Sequence, residues 1–157
     1  MPLDELLKEH TDSILNRALA AGLRAGIAHY PVGSSDLLRA RLARFLELTR
    51  EAIATHNLGL VLAYSRQLAK ERFEAGYDLG EVQAAINVLE ESIWDHLLRL
   101  VPPNELGQAL GLCSTVLGQA KDVLARTYVS LASGEHVQSL NLESLFTGIE
   151  AGSIVEA

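Results

Sequence analysis

Gly76 and Asp78 in the run Arg72-Phe-Glu-Ala-Gly-Tyr-Asp-Leu-Gly-Glu81 constrain the fold more than any other pair of residues in this chain. A glycine reaches the left-handed conformation that closes a helix without a Cβ penalty. Asp78 stands where a helix N-cap belongs, and Glu81 follows it at the spacing of a capping box. Upstream, Leu68, Ala69, Arg72 and Phe73 share one side of a helix. Downstream, Val82, Ile86, Leu89, Ile93, Leu97 and Leu100 recur at helical spacing until Pro102 and Pro103 end the pattern. The stretch from Tyr64 to Val101 therefore predicts a helix, a tight corner and a second helix.

The same periodicity covers most of the remaining chain. Leu3, Leu6, Leu7, Ile14, Leu15 and Ala18 give an apolar side to a first helix over about Leu3 to Leu23. The segment from Ala28 to Asp36 holds a proline, a glycine and two serines. It predicts a connection, with Ser34 or Ser35 capping the next helix. That helix, about Asp36 to Thr55, turns Leu38, Leu42, Phe45, Thr49 and Ile53 inward. His56, Asn57 and Gly59 predict a break, against the alternative of one long kinked helix.

A last helix, about Glu105 to Ala132 and capped by Asn104, carries a 4-3 seam of Leu106, Leu110, Cys113, Leu117, Ala120, Leu124, Thr127 and Leu131. Val116 and Val123 widen this seam toward a bundle core. Gly107, Gly111 and Gly118 on the same helix are either tolerated or admit close approach of a neighbouring helix.

No segment alternates with period two long enough for a strand. The expected class is all-α: a single helical bundle of about five main helices over residues 1–132, followed by a 133–157 extension with a short C-terminal helix. In that extension Leu142, Leu145, Phe146 and Ile149 form a one-sided stripe. A helix so short is marginal alone, so the stripe must dock on its own bundle or serve as a partner-binding site.

Composition removes several function classes. A formal charge of -7 argues against nucleic acid, whose phosphates need a basic face. The arginines Arg39, Arg41, Arg44 and Arg50 are interleaved with Asp36, Glu47 and Glu51, which reads as a solvated helix face. No apolar run approaches the roughly 18 residues of a membrane span. The start MPLDELLKEHTD is unlike a signal peptide, and the lone Cys113 forms no internal disulfide, so the expected location is cytoplasmic.

The residues that carry chemistry do not fall into a catalytic pattern. His10, His29, His56, His96 and His136 lack the paired His and Glu spacing of a helical metal site, and no HExxH motif is present. His96 lies near the apolar side of its helix. It reads as a core histidine rather than the buried axial ligand of a haem. Cys113 sits in the seam as a small apolar filler, Glu90, Glu91 and Asp95 read as a hydrated face, and no G-x-S-x-G or phosphate-binding loop occurs. No enzyme activity and no cofactor are expected. Trp94, His96 and Tyr64 are the candidates for a pocket between helices, with Phe73 and Tyr77 as further candidate walls against the alternative of core packing.

The run from Arg72 through Gly76, Leu79, Glu81 and Val82 to Ala85, Leu89, Ile93 and Trp94 resembles the N-terminal domain of RsbRD-type co-antagonists of bacterial stress signalling. The final Ala125-Arg-Thr-Tyr128-Val-Ser-Leu131 is also similar to that domain's closing helix. The resemblance implies a helical, non-catalytic input module. Its expected partners are itself, as a homodimer, and a kinase, an anti-anti-sigma protein or another signalling protein. It supplies no catalytic or ligand residue. The alternative expectation is a small-molecule sensor with an apolar pocket between helices. A dimer built on the last helix predicts that Leu124→Glu separates the subunits.

Overall fold

The computed structural model describes residues 1–26, 35–134 and 146. The protein is an all-α bundle of α1 (Leu3–Glu9), α2 (Thr11–Arg24), α3 (Ser35–Thr55), α4 (Gly59–Glu74), α5 (Leu79–Leu100) and α6 (Pro103–Ser133), and no strand occurs among the described residues. The connection before α3, with Ser34 as its candidate cap and the side chain of Ser35, lies outside the described residues. So do Leu142, Leu145, Ile149 and the predicted short C-terminal helix.

The first expected helix is two. It bends at His10, where φ is -101° and ψ is 16°, and the Thr11 hydroxyl donates to the Leu7 carbonyl at 3.0 Å. A side chain that bonds back to the carbonyl four residues earlier bends a helix. The bend has a tertiary purpose: α1 packs on α3, while α2 packs on both α3 and α5.

Helix α3 is central and touches α1, α2, α4, α5 and α6. It is correspondingly buried over a wide arc, with Leu38, Leu42, Phe45, Leu46, Leu48, Thr49, Ala52 and Ile53 all inside. It stops at His56, whose φ of 56° is left-handed, and the Asn57 side chain then accepts the Gly59 N–H at 2.7 Å. The predicted break is real, and a single kinked helix does not form.

The α4–α5 corner closes as its sequence requires. Gly76 has φ 83°, its N–H donates to the Phe73 carbonyl, and the Tyr77 N–H donates to the Arg72 carbonyl, each at 3.0 Å. These two bonds are a Schellman closure. Asp78 then caps α5 by accepting the Gly80 N–H at 3.2 Å.

Although consecutive, α4 and α5 share almost no contact; α6 lies against both. Bonds from Trp94 to Ser114 and from Gln83 to Lys121 make α5 and α6 antiparallel. Phe73 meets Tyr128 with ring centroids 5.6 Å apart, close to the C-terminal ends of α4 and α6. So extensive a contact with α4 leaves α6 room only for a parallel course.

Helix α6 departs from the seam in three places. It starts at Pro103, with Pro102 as N-cap, so Asn104 lies within the first turn rather than capping it. Leu131 is 38% exposed, because an ideal helix drifts about 20° per heptad away from a 3.5-residue repeat. The buried arc keeps Cys113, Leu117, Ala120 and Leu124 together with the widening Val116 and Val123, and adds Ala109, Leu112, Gln119 and Tyr128. A Cβ built on Gly107 or Gly118 meets nothing within 4 Å, so among the described residues no neighbouring helix approaches there.

Candidate functional site

The three predicted pocket residues do not converge. Trp94 is 42% exposed, and its indole N–H donates to Ser114 on α6 at 3.0 Å. Tyr64 packs edge-on against Phe45 at 5.0 Å between α3 and α4. His96 is buried between α2 and α5. Its Nδ1 lies 2.7 Å from the Ser92 carbonyl, which can only accept, so in the neutral ring Nε2 receives the Ser13 hydroxyl at 2.8 Å. Ser92 completes this polar seam by donating to the Ile14 carbonyl at 2.7 Å. Both ring nitrogens are thus engaged, Nδ1 within α5 and Nε2 across to α2.

Of the apolar stripe proposed for a partner, Phe146 is described. It is 2% exposed and joins the core, its ring standing edge-on to His56 at 6.5 Å. That ring is already covered by the chain itself.

The residues that do converge flank the α4–α5 corner. Arg72, on the last turn of α4, is buried, and its guanidinium lies 3.5 Å over the centre of the Tyr77 ring, a cation–π stack. The Tyr77 carbonyl accepts the Tyr128 hydroxyl from α6 at 3.1 Å, and Tyr128 in turn packs on Phe73. Burial pushes the Tyr128 phenol up; the nearby Arg72 charge opposes this, and Asp78 and Glu81 reinforce it. The phenol therefore stays protonated and keeps its bond. A shallow cleft of about 430 Å³ opens here, lined by Phe73, Tyr77, Asp78, Tyr128, Val129 and Ala132 among others. In the sequence the corner reads as a helix boundary and as the carrier of the family likeness, and Phe73 and Tyr77, two of the expected pocket walls, do line the cleft. The available signal was the pair of large polar residues, Arg72 and Tyr77, bracketing the closing glycine.

A second cleft, of about 310 Å³, lies at the opposite end of the bundle. Leu3 and Leu6 of α1, Val101, and Glu105, Ala109 and Leu112 of α6 contribute to it, and so does Leu100, which is 43% exposed rather than inward. Neither cleft includes Trp94, His96 or Tyr64. Among the described residues, no group of three His, Cys, Asp or Glu side chains is placed to hold a metal ion, and no helix is long and apolar enough to cross a membrane. Cys113 is fully buried in the core.

Fold and corner together define a helical bundle domain whose most elaborated surface feature is a latched helix–helix turn. The chain belongs to the family described as the RsbT co-antagonist protein rsbRD N-terminal domain, whose model matches residues 12–151, nearly its whole length. It is thus a regulatory domain of stress signalling, as the resemblance from Arg72 to Trp94 implies. No curated protein and no solved structure matches the chain.

Proposed function

We propose that this domain is a non-catalytic cytoplasmic module that signals through protein contact and self-associates as a homodimer. Its partner is a kinase, an anti-anti-sigma protein or another signalling protein. The observation that carries this reading is the corner. The residues bearing the family likeness cap two helices, bury an arginine under an exposed turn and tie that turn to α6. Such rigid construction at the surface suits a site that another protein reads.

Native mass spectrometry of the untagged protein, with a denatured control, tests the dimer. A dimer without excess mass is expected. For the contact we favour the outer face of α5 and α6, where Leu98 is 59% exposed beside Trp94 and the faces of Gly107 and Gly118 are open. Leu98→Glu should leave a folded monomer. Persistence of the dimer in that variant would remove this face from consideration.

The sensor reading finds its support in the cleft beside Leu112 rather than at Trp94. There, mass that co-purifies and disappears on denaturation is the expected sign of a ligand, and Leu112→Trp should abolish it by filling the space.

A further inference from the structure

We infer that the α4–α5 corner is the docking surface for a basic amphipathic helix of the partner protein. The assignment rests on the interaction-module reading and names the chemistry of the partner at that same site.

Two features select this occupant. The first is shape and apolarity. The cleft presents the rings of Phe73 and Tyr77, with Val129 of α6, 49% exposed, and Ala132 along its rim. Val129 and Ala132 are three residues apart on one helix, so the rim runs along α6 and suits another helix laid against it.

The second is charge. Glu71, Glu74 and Asp78 are exposed and Glu81 is half-buried, all within the corner sequence. Set against them are Lys70, one turn from Glu74, and Arg72, which is buried and stacked on Tyr77. Arg126 on α6 is paired with Asp122 at 3.0 Å. The corner therefore carries excess negative charge.

The backbone adds to it. Because α4 and α6 run parallel, both end at this corner, and the negative ends of their dipoles lie side by side. The positive end of α5 offsets this only in part, because the four acidic side chains outnumber Lys70 and Arg72 by two and one helix terminus carries about half a charge. A field of this sign with aromatic faces beside it recruits lysine and arginine, by charge complementarity and by cation–π contact.

Site-specific photo-cross-linking in cells, from a benzophenone side chain at Val129 or at Leu98, tests the assignment on the full chain. The expected result is a cross-link from Val129 to a lysine- or arginine-bearing amphipathic helix, identified by mass spectrometry of the joined peptides. A synthetic peptide of that helix should then lose affinity roughly tenfold with Glu74→Lys, and less than about twofold with Glu9→Lys on α1, a control of equal net charge change. Equal losses in the two variants would reduce the effect to bulk charge and overturn the site. A cross-link from Val129 to an acidic or uncharged segment overturns the basic partner. A partner captured from Leu98 but not from Val129 removes the corner while leaving the interaction module in place. Silence at both positions removes both.

Discussion

Burial pushes the Cys113 thiol up to about 12 from its ordinary 9.0, with the negative charge of Glu90 adding to the shift. The unfolded chain therefore releases this proton first. The thiol's contribution is fully present below the unfolded value and declines as pH rises from about 9 toward 12, by at most about 1.4 kcal/mol per pH unit. Urea titrations at pH 7 and pH 10 are expected to show an alkaline loss in the native chain that is smaller in Cys113→Ala. Thiol-labelling reagents should modify the protein only as it unfolds. At the corner, Gly76→Ala places a Cβ at φ 83° and should cost about 1–2 kcal/mol. Tyr128→Phe, which removes the bond to the Tyr77 carbonyl, should cost about 1 kcal/mol in the same measurement.

The helices show where a sequence reports its own structure and where it does not. The α4–α5 corner was legible because its determinants are local: Gly76 closes one helix and Asp78 opens the next, whatever surrounds them. The bend at His10 was not, because neither His10 nor Thr11 is a strong helix breaker and the cause lies in the different neighbours of α1 and α2. A fixed heptad places Leu131 inward, but a straight helix has rotated away from that repeat by this point and leaves it exposed. The site was legible only in part. Trp94 and His96 are two residues apart on one helix, so their side chains leave it on widely different bearings, toward α6 and toward α2. Tyr77 and Tyr128 meet through a hydrogen bond spanning 51 residues, which no local pattern announces. The open faces of Gly107 and Gly118 lead to a further expectation: each change to alanine should stabilise the monomer by about 1 kcal/mol, since helix propensity improves and nothing is displaced. A dimer seated on this face would weaken at the same time, which size-exclusion chromatography would register.

For the whole molecule, the decisive correction concerns the seam of α6. Cys113, Leu117 and Leu124 are fully covered within a single chain, so they belong to the core and are not offered to a second copy. Leu124→Glu is thus expected to unfold the domain, with loss of helical circular dichroism, rather than to separate folded subunits. The placement of α6 against α3, α4 and α5 also governs assembly in time. The two helices it joins are consecutive yet hold each other hardly at all. During synthesis the first five helices leave the ribosome with the slot between α4 and α5 still unfilled. The core closes only after the chain has been made through Ser133. A nascent chain stalled before Pro103 should remain sensitive to protease, and emergence of α6 is the event that commits this domain to its fold.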